Sequence, residues 1–361
     1  VSDAPAGAAP RAARLVIGSR GSALALAQAE AVAAGLRAVH PRLEIAITTV
    51  ATTGDRLLDV PLAKIGDKGL FTKELETALL DGRIDLAVHS AKDLPTALPA
   101  GLALSAFTRR EDARDVFVAA PGARRPAGPA ALPAAARIGS SSLRRRAQLL
   151  ALRPDLRVVD LRGNVETRLR KLADDGLDGT VLAAAGLQRL GRADVVAFTF
   201  TFDEMLPAVG QGALAVETRA GDERVAALVA GLNDGPTALA VRAERALLAA
   251  LEGGCQVPLG AHAELLGGSA EADRGSAGAD RGSAGAAAGL SGATPGGGAE
   301  LLLRAFVCTL DGGETVRDTL RAPAGEPEAL GGALAERLRA AGAGRILAAL
   351  RDAALTPGSA G

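Results

Sequence analysis

The chain has 361 residues, enough for two or three domains. Its 41 basic residues balance its 41 acidic ones, which argues against nucleic-acid or membrane binding driven by bulk charge and leaves room only for a local basic cleft. No apolar run reaches the length of a membrane span, and two cysteines in 361 residues point to a reducing compartment, the cytoplasm.

In chain order, Val1–Ala13 is rich in Ala, Pro and Gly and lacks an apolar signal core, so it reads as a disordered extension. Strands are predicted at Leu15–Gly18 and Leu43–Val50, around a helix at Ser22–Val39 closed by His40-Pro41. A helix at Phe71–Leu80 and a strand at Ile84–Val88 follow. Beyond a Pro/Gly/Arg-rich stretch at Pro121–Pro133 come a strand at Arg137–Gly139, a helix from Leu143, a strand at Leu156–Asp160, a helix from Val165 and a strand at Thr180–Ala184. This alternation predicts α/β domains with mainly parallel sheets, whose ligands bind at the carboxyl ends of strands. Gly212–Glu217 reads as a further strand after a turn at Pro207–Gln211. A helix at Pro236–Leu251, strands at Ala261–Leu265 and Leu301–Thr309 and a helix at Pro327–Ala341 complete the order. Gly267–Gly298 is low in complexity and contains the tandem repeat Ala272–Gly278 and Ala279–Gly285. It cannot bury enough apolar surface to fold and reads as a disordered insertion.

Three strand-to-helix junctions share one chemistry: Gly18–Ser22, Gly139–Arg145, and Asp160–Asn164 with Arg168 a turn later. Each supplies a Ser or Asn suited to cap the next helix. Leu143/Ala147/Leu150 and Val165/Leu169/Leu172 should then form buried stripes. Arg144, Arg145 and Arg146 crowd a first helical turn, where the macrodipole disfavours each cation by about 0.3–1 kcal/mol. Guanidinium forks beside free backbone N–H groups suit a carboxylate or phosphate ligand. At the end of the Ile84–Val88 strand, Lys92 and Asp93 project together, an arrangement suited to stabilising a developing cation and passing protons. The chain has five lysines, and Lys64, Lys68, Lys73 and Lys92 fall within thirty residues, where a compact ammonium rather than a planar fork is wanted.

Cys255 lies in Gly253-Gly254-Cys255-Gln256-Val257-Pro258, a run that suits neither a helix interior nor a central strand. It reads as a presented thiol; a Cys255–Cys308 disulfide is the alternative. None of the three histidines, His40, His89 and His262, is placed by motif to activate a nucleophile.

Together these residues resemble the hydroxymethylbilane synthase (porphobilinogen deaminase) family. The motifs run from Ile17–Gln28 through Lys64–Phe71, His89–Pro95, Ser141–Arg145, Arg162–Leu169 and Ala185–Gly191 to Gly253–Pro258, in the family's order. The resemblance implies a transferase that deaminates four porphobilinogen molecules and joins them head to tail into hydroxymethylbilane. It implies a dipyrromethane cofactor on a thioether to Cys255, Asp93 as the catalytic residue, and Lys92, Ser142, Arg144, Arg145, Arg162 and Arg168 as cofactor-binding residues. Arg20, Ser22, Arg189 and Gln211 would bind substrate, with Lys64 and Lys68 on a mobile cleft loop and Phe71 stacking on a pyrrole ring. No metal is implied.

The implied fold places two periplasmic-binding-protein-like (type II) α/β domains, residues 14–111 with 208–231 and residues 112–207, around a cleft. A smaller α/β domain, 232–361, bears the cofactor and the insertion 267–298. The implied protein is a cytoplasmic monomer. Two other readings stand beside it. A solute-binding protein would share the fold and anion cleft without catalysis. A cysteine hydrolase would need a base near Cys255.

Overall fold

The computed structural model describes residues 14–52, 72–251, 257–267 and 298–355, with side chains to residue 352. Val1–Ala13, Lys64, Lys68, Phe71, Cys255 and the repeats of the insertion lie outside the described residues.

The chain opens with β1 (Arg14–Ser19), α1 (Ala23–Val39), β2 (Glu44–Thr49), α2 (Lys73–Leu80), β3 (Leu86–Ser90) and β4 (Leu102–Phe107). Leu15 and Ile17 of β1 and Val32, Ala33 and Leu36 of α1 pack into one core with Leu86 and Val88. Ser22 caps α1 by accepting from the Ala25 N–H at 3.3 Å, and Pro41, which has no N–H to continue a helix, follows its last residues. A second run holds β5 (Asp115–Ala119), β6 (Arg137–Gly139), α3 (Leu143–Leu152), β7 (Arg157–Val159), α4 (Val165–Asp174), β8 (Gly179–Ala183), α5 (Ala184–Arg189) and β9 (Val196–Thr199). The chain then returns as β10 (Leu214–Arg219) and α6 (Glu223–Val229). It ends with α7 (Gly235–Ala250), β11 (Leu259–Leu266), β12 (Glu300–Cys308), β13 (Thr315–Pro323), α8 (Pro327–Ala340) and α9 (Ala343–Leu355).

Two five-stranded sheets follow one plan, β2-β1-β3-β10-β4 and β7-β6-β8-β5-β9. The first three strands of each pair in parallel, as the alternation predicts. The fourth place is antiparallel in both, filled by β10 in one and β5 in the other. The C-terminal sheet, β11-β12-β13, is wholly antiparallel and buries a core with α7, α8 and α9.

Because β10 returns to the first sheet, the chain crosses between sheets twice. The two crossings run side by side: the Thr108 N–H donates to Leu214 O at 3.0 Å and the Glu111 N–H to Gly212 O at 3.2 Å. Gly212 has φ +92°, and a Cβ there would lie 2.6 Å from Glu111 O, so only glycine permits this approach. Glu244 of α7, fully buried, accepts from both terminal nitrogens of Arg110 (2.6 and 3.2 Å) and from the N–H groups of Gly210 and Ala263 (each 2.7 Å). One satisfied ion pair therefore joins both crossings to α7 and β11.

Two expectations need correction. Leu143 and Leu150 are only partly buried; α3 buries Arg144, Arg145, Ala147, Gln148 and Leu149 instead, because its inner face meets polar groups of the site, and in α4 Val165 and Leu169 are likewise only partly buried, leaving Leu172 as its buried residue. Cys308 is a free, buried thiol, and Cys255 lies outside the described residues.

Candidate active site

β3 runs into a 3-10 turn, Ala91–Asp93, which sets Lys92 half-buried and Asp93 exposed. The Ala91 N–H donates to Ala213 O at 3.0 Å. Gly210, at φ +73°, presses on this turn: a Cβ there would stand 3.0 Å from Ala91 Cβ and 3.2 Å from Lys92 N. The glycine lets the returning crossing cover the turn without displacing it.

Lys92 Nζ donates to Gln211 Oε1 at 3.2 Å. Burial lowers the Lys92 ammonium to about 8; Asp93 opposes the shift, and Arg145 adds to it. Gln211, buried, donates through Nε2 to Ala113 O at 2.7 Å and to Asp115 Oδ1 at 3.0 Å. Asp115 is fully buried at the start of β5. It accepts from Arg144 Nη1 at 2.6 Å and from Arg145 Nε and Nη2 at 3.1 and 2.7 Å. Burial alone would raise its carboxyl; the two guanidiniums overcome that and hold it well below the usual carboxylate range. Arg144 also donates to Leu206 O at 2.7 Å. The crowding of cations at the start of α3 thus has a first answer inside the protein: Asp115 is an anion the chain supplies itself.

Ser142 caps α3 by accepting from the Arg145 N–H at 3.4 Å, and Asn164 caps α4 by accepting from the Thr167 N–H at 2.8 Å. The Ser141 hydroxyl joins the two junctions, contacting Leu161 O and N at 3.1 Å each. Arg168, one turn into α4, donates Nε to Gly163 O at 2.8 Å. Burial, then the charges of Arg145 and Arg162, lower its guanidinium to about 10, with Asp93 opposing. Asp93 and Arg145 therefore each act on both Lys92 and Arg168, and Arg162 acts on Arg168, at the carboxyl ends of β3, β6 and β7. A cavity lined by Arg20, Ser22, Gln28, Thr72, His89 and Asp93 opens beside them. A second hollow of about 400 Å³ lies against Ser140–Ser142, Arg146, Asp160 and Asp311.

Arg189 lies elsewhere. It donates to Glu111 Oε1 at 3.1 Å and to Gly212 O at 2.8 Å, on the paired crossings. Asp115 and Glu244 were not singled out from the sequence. Neither carries a local pattern that marks it, and only the fold brings Arg144 and Arg145 to Asp115 and Arg110 to Glu244.

The family model described as "Porphobilinogen deaminase, dipyromethane cofactor binding domain" matches residues 15–227, and "Porphobilinogen deaminase, C-terminal domain" matches 238–271. Among curated relatives, the porphobilinogen deaminase of Syntrophotalea carbinolica is 50% identical over 343 residues, covering 95% of this chain and 98% of the relative. That of Moorella thermoacetica is 51% identical over 331 residues, 92% and 95% of the two chains. Likeness to solved structures is low: the BvgS VFT2 domain of Bordetella pertussis gives a TM-score of 0.37 at 16% identity, over 60% of this chain and 84% of that one. The fold assignment rests on the strand order above. With family matches running through both sheets and into the C-terminal unit, the chain belongs to the porphobilinogen deaminase family.

Proposed function

We propose that this chain performs the family's reaction with Asp93 as the catalytic residue, Cys255 as the point of cofactor attachment and the surrounding cations as carboxylate anchors. The enzyme is a transferase that deaminates porphobilinogen and joins four molecules head to tail into hydroxymethylbilane, using a dipyrromethane cofactor. The observation that carries the residue assignment is that Asp93 lines a cavity at the end of β3 and faces both Lys92 and Arg168, two cations that burial and neighbouring arginines depress, Arg145 acting on both and Arg162 on Arg168. Like charges at 4 Å repel by about 4 kcal/mol at an effective dielectric near 20, and a ligand with several carboxylates relieves that repulsion. Each pyrrole of the substrate and of the cofactor brings two. The donor set therefore fits the dipyrromethane.

When bound, the dipyrromethane supplies the pyrrole to which each new unit is joined. Arg145, Arg162 and Arg168 hold its acetate and propionate arms, aided by Lys92 and Ser142. Arg144 acts on the same arms chiefly by sharing Asp115 with Arg145. Arg20 and Ser22, in the cavity beside Asp93, bind the incoming porphobilinogen, and Gln211 orients Lys92. Asp93 assists loss of the amino group and stabilises the positive charge that develops on the pyrrole as ammonia departs. Arg189, which the resemblance assigns to substrate binding, steadies the crossings through Glu111 and Gly212 O. By family resemblance Lys64, Lys68 and Phe71 complete the substrate side.

We assign the domains as residues 14–111 with 208–231, 112–207, and 232–361, the first two flanking the cleft. Among the described residues no helix is long and apolar enough to cross a membrane. The free thiol of Cys308 agrees with a cytoplasmic setting, and we assign the protein as a monomer. The direct test is incubation of the purified protein with porphobilinogen. Release of one ammonia per porphobilinogen consumed supports the assignment; saturable binding without ammonia release would favour the solute-binding alternative.

A further inference from the structure

Behind the Asp93 cavity lies a set of ionisable groups that the reaction above leaves unused. Side chains alternate along a strand, so Ala87 and His89 of β3 share a face with Ala215 and Glu217 of β10, paired His89 to Ala215 and Ala87 to Glu217. α2 packs across that face through Leu75, Ala78 and Leu79 and brings Glu76 to it. His89 Nε2 lies 3.0 Å from Glu217 Oε2. Glu217 is fully buried, and His89 and Glu76 are nearly so. Oε1 of Glu76 and Oε1 of Glu217 have no hydrogen-bond partner among the described residues.

Among the described residues the neighbouring charges do not balance this set. Arg219, the next residue on the same face of β10, donates to Leu79 O, Ile84 O and Asp222. Glu74 of α2 adds a further negative charge. β4 supplies no ionisable side chain, and Arg14 of β1 is exposed at the strand's far end. On the cavity side stand Arg20 and Asp93, and Gln28 donates to Ser90 Oγ at 2.8 Å. Burial raises the Glu76 carboxyl; the Thr72 hydroxyl pulls it back, Glu217 pushes it up again and His89 opposes. Glu217 has His89 as its partner, whereas Glu76 has no hydrogen-bonded cation among the described residues, and a buried carboxyl in that position is held most cheaply with its proton, since an unpaired buried charge is costly.

His89 and Thr72 also line the cavity that contains Arg20, Ser22 and Asp93. The cluster therefore joins the first turns of α2 to the end of β3, one residue before Ser90 and the Lys92–Asp93 turn. We propose that Glu76, packed against the His89–Glu217 pair, forms with it a buried positioning cluster that seats α2 against β3 and so fixes the wall and floor of the Asp93 pocket. The inference rests on Asp93 marking the substrate pocket. With Glu76 protonated, α2 stays seated; when that proton is lost, repulsion between Glu76 and Glu217 loosens the wall and turnover falls.

The test uses the full-length, cofactor-loaded protein as wild type, Glu76→Gln and Glu217→Gln. Two quantities are read across pH: kcat and KM for porphobilinogen, and the thermal midpoint. An acid whose folded pKa is raised stabilises the fold fully below its unfolded value near 4.5, and loses that contribution as pH rises through the folded value. Wild type should therefore lose stability over that window relative to Glu76→Gln. Glu76→Gln, which mimics the protonated acid, should keep kcat at low pH and lose one ionisation from the alkaline side of the kcat profile. Glu217→Gln should lower kcat about tenfold with KM changed by less than about threefold. Coincident kcat profiles for wild type and Glu76→Gln would overturn the positioning role, even if the stability slopes differ. If Glu217→Gln does not fold, Glu76→Gln decides alone. Failure of wild type to release ammonia would instead count against the proposed reaction, which separates the two.

Discussion

Lys92, in the turn after β3, and Asp115, at the start of β5, are joined through a single side chain: Gln211 accepts from Lys92 Nζ at 3.2 Å and donates to Asp115 Oδ1 at 3.0 Å. The turn bearing Asp93 is thereby tied to the carboxylate that holds Arg144 and Arg145. Gln211→Leu keeps the volume and removes both contacts, along with the bond to Ala113 O. We expect a loss of about 2–3 kcal/mol of stability by denaturant unfolding, since buried partners are left unpaired. Turnover should fall further than this loss explains, because Lys92 is no longer oriented. Wild-type stability and kcat would refute the linkage.

Asp115→Asn leaves two buried guanidiniums facing a neutral amide. Removing one partner of a buried ion pair costs about 3–5 kcal/mol. The wild-type carboxyl is held below its ordinary value of 3.8, so its contribution is complete above that pH and is lost as pH falls below it. Acid unfolding of wild type should therefore steepen below about pH 4. The variant should show less of that dependence in thermal midpoints measured down the acid range.

Asp93 is exposed and pairs with no core group in the described hydrogen bonds, so Asp93→Ala should fold with an unchanged thermal midpoint. Turnover should drop by about 10²–10⁴, the usual weight of a positioned acid–base group. Near-normal ammonia release by this variant would remove Asp93 from the mechanism.

Arg162 and Arg144 should separate. Arg144 is buried and bonded to Asp115 and Leu206 O, so Arg144→Ala should lose stability first and carboxylate binding as a consequence. Arg162, half-buried in the cation cluster, should on substitution by Ala impair cofactor loading and raise KM with little change in thermal midpoint. Equal stability losses in both would contradict this division.

Much of the fold was legible in the sequence because its elements carry local signals. The caps Ser22, Ser142 and Asn164 mark the starts of α1, α3 and α4, and the glycine-rich junctions stand where the strands end. The antiparallel fourth strands were not legible as such: β10 has clear strand character, but its place between β3 and β4 depends on a partner far away in the chain. Arg144 and Arg145 were visible as an anomaly at a helix N-terminus, whereas the acid that answers them was not. Asp115 sits between Arg114 and Val116 with no local pattern, and its role appears only when β5 packs beneath α3. Glu76 and Glu217 were hidden similarly, each ordinary in its own segment until α2 crosses the sheet.

The most direct test of the account is the intact mass of the purified protein, with peptide mapping across Gly253–Pro258. The account predicts added mass equal to two linked pyrrole units, carried on Cys255. An unmodified Cys255 thiol in protein that turns over porphobilinogen would contradict it.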